Sequence, residues 1–506
     1  MRQKVNSMNE TIKTKGTEHS GALLSKLIVA AALCCIALVL GASLRSNVFH
    51  PLAPQLDSSV FQYIGIAMTK GQVPYLDTFD HKGPVIFFLN YFGKLIGDNG
   101  VWFFELLLLL LTTVCVYRIM RKFCGRGVSV IGTAAAEFFL YDFLGGGNYT
   151  EEYALPFITC ALLIFVDYFL TGKTTRIRIA VCGACFMMVA LLRANMVATW
   201  VVFPVAVLVK ELRAKNRRVW GYLLFFLIGA AVAFLPFLIY FAYHHALRDF
   251  WEQYGLFNLA YSGTTWSERI HAMWHFFWNA PTFLVFAICF AGLLCGKEQK
   301  LYGLSMIYLL VSLAAIGMAG REYNHYGIIL MPLTVVPLAL ALRFLEERVQ
   351  GRTLLLSGIL VALFLFYPWW QTIQSLPYRT LPEQTTEGAI STYIRSITDE
   401  DETIIVCGHK DVFYVLSGRM AASKYSYPLP IAMIKPSVYD EFFDDLYENP
   451  PAVLITDTFT EEDQLDYTEL NARTEAFLAA YPYDEGKTIE TYTLYTLDRA
   501  YRQASR

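Results

Sequence analysis

Leu56-Asp-Ser-Ser-Val-Phe-Gln-Tyr63, and then Gly71-Gln-Val-Pro-Tyr-Leu-Asp-Thr-Phe-Asp-His-Lys-Gly-Pro84, lie between the first two long apolar segments of the chain. Asp57, Tyr75, Asp77, Asp80, His81 and Lys82 crowd into this one stretch. Ionisable groups at a bilayer edge are costly, and where they persist they mark a pathway or a site. The chemistry is therefore expected here, and the apolar segments on either side set the fold.

Those segments recur along the chain. Its 506 residues are 55% hydrophobic and 17% charged, with a mean hydropathy of +0.40, whereas soluble domains carry roughly a quarter charged residues. Runs long enough to cross a roughly 30 Å hydrocarbon core are read near 22–44, 101–119, 128–143, 153–170, 179–194, 196–210, 219–243, 276–295, 301–319, 327–345 and 353–369, about eleven in all. The run near 22 follows Arg2, Lys4, Lys13 and Lys15 and is too long for the core of a cleaved signal, so it reads as an anchor. A net charge of −2, with no basic stripe outside the loops, gives no electrostatic footprint for nucleic acid.

Basic residues fix the orientation. Arg118, Arg121, Lys122 and Arg126 form one cluster, Lys173, Arg176 and Arg178 another, and Lys210, Arg213, Lys215, Arg217 and Arg218 a third. Lys297, Lys300, Arg343, Arg348 and Arg352 complete the set. With eleven spans all fall on the side of the N-terminal tail, which is then cytoplasmic, and an odd count puts the C-terminus outside. The chain is expected to divide into a cytoplasmic tail (1–21), a transmembrane domain (22–370) bearing the external loop 45–100, and an extracytoplasmic domain (371–506). In the last, Thr403-Ile-Ile-Val-Cys-Gly and Ala452-Val-Leu-Ile-Thr-Asp read as buried strands, and Thr491-Tyr-Thr-Leu-Tyr-Thr-Leu alternates like one. Helical stretches at 387–397 and 438–447 make it a small α/β unit. Only Cys407 of the ten cysteines belongs to it, which excludes a disulfide framework, and Cys182 and Cys185 inside an apolar run read as packing residues.

Four constellations carry candidate chemistry. A helix over 75–82 would set Asp77, Asp80 and His81 on one face, where a carboxylate can take a proton from an attacking hydroxyl and Lys82 can neutralise a phosphate leaving group. The competing reading is a solvated loop with capping charges. Gly145-Gly-Gly-Asn-Tyr-Thr-Glu-Glu permits close backbone approach at Asn148, and Glu151 and Glu152 either bind substrate or serve as first-turn acids behind a Thr150 cap. Arg193 needs a partner at its depth, a phosphate or a carboxylate, unless it snorkels at a helix end. Arg321, Tyr323, His325 and Tyr326 suit a phosphate or a sugar face, or an interfacial aromatic belt. No metalloprotease, hydrolase-elbow or P-loop motif is present.

Asp57-x-x-x-Phe61 followed by Gly71-x-x-Pro-Tyr-x-Asp-x-Phe-Asp-His-Lys-Gly-Pro84 resembles the integral-membrane GT-C glycosyltransferases. These include protein O-mannosyltransferases, the aminoarabinose transferase of lipid A and bacterial mannosyltransferase-like enzymes with an external C-terminal domain. Ile405-Val-Cys-Gly and Ser417-Gly-Arg-Met-Ala-Ala-Ser-Lys-Tyr-Ser-Tyr427 look like that subgroup too. The resemblance implies a GT-C-like polytopic α-helical membrane protein of the plasma membrane. It would move a sugar from a polyprenyl-phosphate donor to an envelope glycan, lipid or protein at the external face, inverting the anomeric centre. Asp57 then matches the family's acidic position after the first span, as base or acceptor-orienting carboxylate, and Lys82 the lysine that contacts the carrier phosphate. Many relatives place a second acid after that Asp, where Ser58 stands here, so Asp77 and Asp80 join Asp57 as candidate catalytic residues. Lys82, Arg321, Arg193 and His325 are the candidates for the donor phosphate. Tyr75, His81, Asn148, Glu151, Glu152, Tyr323 and Tyr326 are those for substrate. Carboxylates of this kind can hold Mg²⁺ or Mn²⁺, but the similar enzymes work without one, so no cofactor is expected.

The competing classes are a transporter, which predicts inverted repeats and mid-membrane charge, and a non-catalytic envelope receptor. No repeat is visible and the charges gather at one face. A receptor has no need of Asp57, Asp80 and Lys82 together.

Overall fold

The computed structural model describes residues 2–261, 264–295, 298–457 and 465–504, with side chains from Leu23 onward and Tyr261 excepted. Lys297 and the side chains of Arg2, Lys4, Lys13 and Lys15, all read as cytoplasmic, lie outside the described residues. Helices occupy each of the eleven apolar positions. Among the described residues, eight helices are long and apolar enough to cross a membrane, among them Leu23–Ser43, Gly100–Met120 and Thr150–Thr171. Trp266–Phe277 and Ala280–Cys295 are bent by 78° and make a ninth if taken as one span. Arg176–Ala190 and Ala198–Arg213 have 15 and 16 residues, so each reaches only about 22–24 Å. They meet at Arg193, whose break shortens both.

Burial separates a bundle centre from a lipid-facing rim. The best windows of the Thr150–Thr171 and Asn324–Glu346 spans are 67% buried, against 11% for Arg218–Tyr243 and for Gly351–Tyr378. Leu227, Val232 and Phe364 on those outer helices are exposed. A continuous apolar surface of this extent fits hydrocarbon and not water.

The stretch 45–100 is not one loop. The long first helix α1 (Arg2–Ser43) is followed by α2 (Leu56–Thr69) and α3 (Pro84–Ile96), before α4 (Gly100–Met120) re-enters the bundle. Asp57 sits in the first turn of α2, where the helix dipole favours an acid. Pro84 opens α3 at a position that needs no N–H donor. Between them, residues 75–82 are not helical. Tyr75 has a φ of 70°, incompatible with a right-handed helix, and the chain runs extended into Pro84.

The C-terminal unit holds a five-stranded mixed sheet. Its strands are β1 (Thr403–Cys407), β2 (Met420–Ala421), β3 (Val453–Asp457), β4 (Lys487–Ile489) and β5 (Tyr492–Thr496), in the order β2-β1-β3-β5-β4. β1 pairs parallel with β2 and β3, with Ile404 opposite Val453, and β5 pairs antiparallel with β3 and β4. Ile404, Ile405, Val453 and Leu454 are fully buried, as continuous apolar runs in a covered sheet should be. Helices Thr386–Ile397 and Ser437–Glu448 fall where the sequence put them.

This unit is docked on the polar stretch. The Tyr63 and Tyr414 rings lie 4.8 Å apart, and the Tyr63 hydroxyl accepts from the Ala421 amide at 3.1 Å. Phe79 donates its amide to the Lys424 carbonyl (2.9 Å), and the Lys70 ammonium donates to Gly418 O (2.9 Å).

Candidate active site

The site is assembled by close backbone approach. A Cβ on Gly83 would stand 1.9 Å from the Leu191 carbonyl oxygen, so only glycine fits. The Gly83 and Val85 amides donate to Leu192 O and Leu191 O at 3.1 and 3.3 Å. The segment ending in Lys82 is thereby fastened to the turn that carries Arg193. Tyr75 holds the segment from the other side. Its hydroxyl donates to Lys82 O at 2.7 Å, and its buried ring meets Phe87, Phe241 and Phe250 edge-on.

Around that anchor the charges alternate. Asp80, 2% exposed, accepts from the Lys82 amide at 2.6 Å and from the Tyr427 hydroxyl at 3.0 Å. The Lys82 ammonium lies 3.1 Å from His81 Nε2 and 5.9 Å from the centre of the Phe61 ring. Arg193 and Glu151 form an ion pair at 2.5 Å with side chains 16% and 3% exposed, and the guanidinium lies 4.1 Å over the Tyr326 ring. His325 stacks on Tyr149 (4.6 Å) and on Tyr323 (5.7 Å), and its Nε2 stands 3.9 Å from the half-buried Asp57 carboxylate.

The electrostatics sort these groups into roles. Burial works to raise the Asp57 pKa, but the charges of Lys82, His325, His409 and Arg193 outweigh it and hold the carboxyl below its usual range. Burial works against the Lys82 ammonium, and Asp80 and Asp57 more than offset it, so Lys82 stays charged above its usual range. Burial pushes Asp80 up, against Lys82 and its hydrogen bonds. His81 is driven well below its ordinary value by burial and by the Lys82 and Arg193 charges, which leaves it neutral. The result is an accessible carboxylate facing two fixed cations.

Not every expected residue joins this cluster. Asp77 is exposed and its carboxylate accepts from the Val73 amide at 2.7 Å, so it closes a turn; the face it was to share with Asp80 and His81 required the helix that Tyr75 precludes. Arg321 is exposed, and its charge acts on Glu268 and not on the cluster, because the chain turns inward only from His325. Asn148, with a φ of 58°, is buried and knots the structure. Its amide nitrogen donates to Ser58 Oγ and Asn90 Oδ1 (both 3.0 Å), and its carbonyl oxygen accepts from Asn90 and Tyr153. Its backbone N–H donates to Glu105 (2.6 Å), beside which Glu152 is buried. Thr150 is the first helical residue and donates to Glu151 (2.7 Å), so it does not cap.

Three participants escaped the sequence reading. Tyr427 reaches Asp80 from the C-terminal unit, His409 stacks on Tyr427 at 4.6 Å, and Tyr149 stacks on His325. Tyr427 closes the tail segment already singled out, yet nothing in its local pattern says that it meets Asp80, 347 residues away.

These features define a polytopic helical membrane protein of the GT-C fold, with its ionised cluster at one end of the bundle beneath a small α/β unit. The chain belongs to the family described as "Putative competence-induced protein Ccs4 N-terminal domain", whose model matches residues 18–365. Among solved structures it is similar to apo ArnT from Cupriavidus metallidurans, with a TM-score of 0.65 and 11% identity over 94% of this chain and 98% of that one. The same enzyme bound to undecaprenyl phosphate aligns over the same shares with a TM-score of 0.61 and 12% identity. The archaeal oligosaccharyltransferase AglB from Archaeoglobus fulgidus aligns over 94% of this chain and 75% of its own at a TM-score of 0.47 and 11% identity. No curated protein matches the chain in sequence.

Proposed function

We propose that this protein is a glycosyltransferase that moves a sugar from a polyprenyl-phosphate donor to a cell-envelope glycan, lipid or protein, at the external face of the plasma membrane. The observation that carries the reading is the half-buried Asp57 carboxylate, held ionised by Lys82, His325, His409 and Arg193. Its setting at the end of a GT-C bundle, similar in fold to a structure crystallised with undecaprenyl phosphate, supports the donor class. The basic loops support a cytoplasmic N-terminus and an external C-terminal domain.

In the proposed step an acceptor hydroxyl attacks the anomeric carbon and gives its proton to Asp57. The bond from that carbon to the phosphate oxygen breaks, and its electron pair leaves with the lipid phosphate. Lys82 and Arg193 meet the charge that grows there. Attack opposite the leaving group inverts the anomeric centre. Asp80 is a positioning residue: it fixes the Lys82 backbone and raises the ammonium's pKa.

The test is Asp57→Asn in nanodiscs with a synthetic polyprenyl-phosphate sugar. Loss of a general base should lower turnover by about 10²–10⁴-fold with donor binding retained. An Asn variant that turns over normally would overturn the assignment.

A further inference from the structure

A cavity of about 460 Å³ lies beside the Lys82 cluster, against a different face of α2. That volume falls within the roughly 300–1,000 Å³ of small-molecule sites. Gln55, Ser58 and Gln62 of the α2 region line it, while Asp57 and Phe61, one helical turn apart, point toward His325 and Lys82. Successive helical residues are turned by about 100°. The two faces of α2 are therefore separated by about that angle, and Asp57 is the residue at their common end. Other walls include the Gly146–Asn148 loop and Val415–Gly418 of the C-terminal unit. The docked unit thereby closes one side of the cavity.

Its lining mixes polar and apolar residues and carries more cations than acids. Arg45, Lys94 and Arg395 stand against Asp98 and Glu383. Lys94 already has Asp98 as its counter-charge. Arg45 has no acid: its Nε donates to Ala53 O at 2.6 Å, and among the described residues its two terminal amino groups have no hydrogen-bond partner. Burial, and after it the charge of Arg379, pushes its pKa down. A guanidinium with unpartnered N–H groups, lining a cavity with a surplus of cations, favours an anion there. Ser58, Gln62 and Asn148 add hydroxyl and amide groups that can hydrogen-bond sugar hydroxyls, and Leu52, Val101 and Leu416 add apolar surface that a sugar's C–H face can cover.

We propose that this cavity is the acceptor subsite and that its ligand is an anionic glycan, a sugar chain bearing a carboxylate or a phosphate, whose attacking hydroxyl reaches Asp57 past the first turn of α2. The proposal rests on the glycosyl-transfer reading. In that scheme the leaving phosphate is met on the Lys82 and Arg193 side, and the acceptor enters from the other face of the same helix.

The experiment measures binding to the full chain in nanodiscs, with three disaccharides as probes: one containing a hexuronic acid, one a hexose phosphate, and neutral cellobiose. Undecaprenyl phosphate binding is measured in parallel. At least one anionic disaccharide should bind tenfold or more tightly than cellobiose, and which one does so distinguishes carboxylate from phosphate. Arg395→Gln and Gln62→Leu should each weaken that binding about tenfold and leave undecaprenyl phosphate affinity unchanged. Arg395 is exposed, so its loss does not threaten the fold. Equal binding of anionic and neutral probes, or none beside intact undecaprenyl phosphate binding, would overturn the proposal alone. Variants that weaken undecaprenyl phosphate instead would give the cavity to the donor and also overturn it. A chain that binds no undecaprenyl phosphate would sink the underlying reading and the proposal with it.

Discussion

Arg193 can be a structural cation or a phosphate ligand, and its pairing with Glu151 allows the two to be separated. The pair closes at 2.5 Å with Glu151 only 3% exposed and Arg193 16% exposed. Removing one partner of such a pair leaves a buried charge uncompensated and costs about 3–5 kcal/mol. Arg193→Met forfeits in addition the contact over Tyr326 at 4.1 Å, up to about 2 kcal/mol when desolvated. Glu151→Gln in the same chain removes the stranded charge and keeps an acceptor for Thr150. Arg193→Met should therefore destabilise by about 3–5 kcal/mol, and the double variant should recover at least about 2 of these, read by denaturant titration in mixed micelles. Donor affinity should behave differently. A hydrogen bond to a charged group contributes about 1.5–3 kcal/mol, so the double variant should regain stability and still bind undecaprenyl phosphate ten- to a hundredfold more weakly. Recovery of both stability and affinity would refute the phosphate role, and full stability in Arg193→Met would refute the buried pair itself.

Three further outcomes follow from the same geometry. Lys82→Met should lower the maximal single-turnover rate by more than it weakens donor binding, since the leaving charge is largest in the transition state; normal rates would move the leaving-group site elsewhere. Tyr427→Phe removes one hydroxyl 3.0 Å from the Asp80 carboxylate, a bond of about 1.5–3 kcal/mol; turnover should fall tenfold or more with an unchanged fold, and an unaffected rate would exclude the C-terminal unit from the site. Asp411 is fully buried, and burial, with the Asp80 charge added, pushes its carboxyl up to about 7 against the Ser426 hydrogen bond. The folded chain thus holds this proton more tightly than the unfolded one, so the group's stabilising contribution is present below about pH 4 and is lost as pH rises to about 7. Asp411→Asn should raise the thermal midpoint at pH 8, by up to about 4 kcal/mol of stability, and barely move it at pH 4; equal shifts at both pH values would contradict this.

The parts legible in the sequence are those governed by local pattern. Apolar runs located the helices, and β-branched runs located β1 and β3, because burial of a face or a whole strand leaves a periodic or continuous signature. The crowding of Asp57, Asp80 and Lys82 was legible because charge beside a membrane is conspicuous. Asp77 was misread for a physical reason: helical spacing was assumed across a stretch where Tyr75 takes φ 70° to insert its ring among Phe87, Phe241 and Phe250. No local rule announces that conformation. Arg193 joins the cluster and Arg321 does not, because sequence position gives membrane depth but not which way a turn points.

The same argument explains why Tyr427 and His409 were missed, and what their position implies. The Phe79–Lys82 segment has almost no regular structure to satisfy its own polar groups. The Phe79 amide spends its hydrogen bond on Lys424 O, and Asp80 takes the Tyr427 hydroxyl. A buried carboxylate without such donors would cost several kcal/mol and would protonate instead. The ionic state of Asp80, and through it the charge and direction of Lys82, therefore depends on the docked C-terminal unit. That unit completes the charged cluster that the stretch between α1 and α4 begins, and the candidate site is shared between two parts of the chain more than three hundred residues apart.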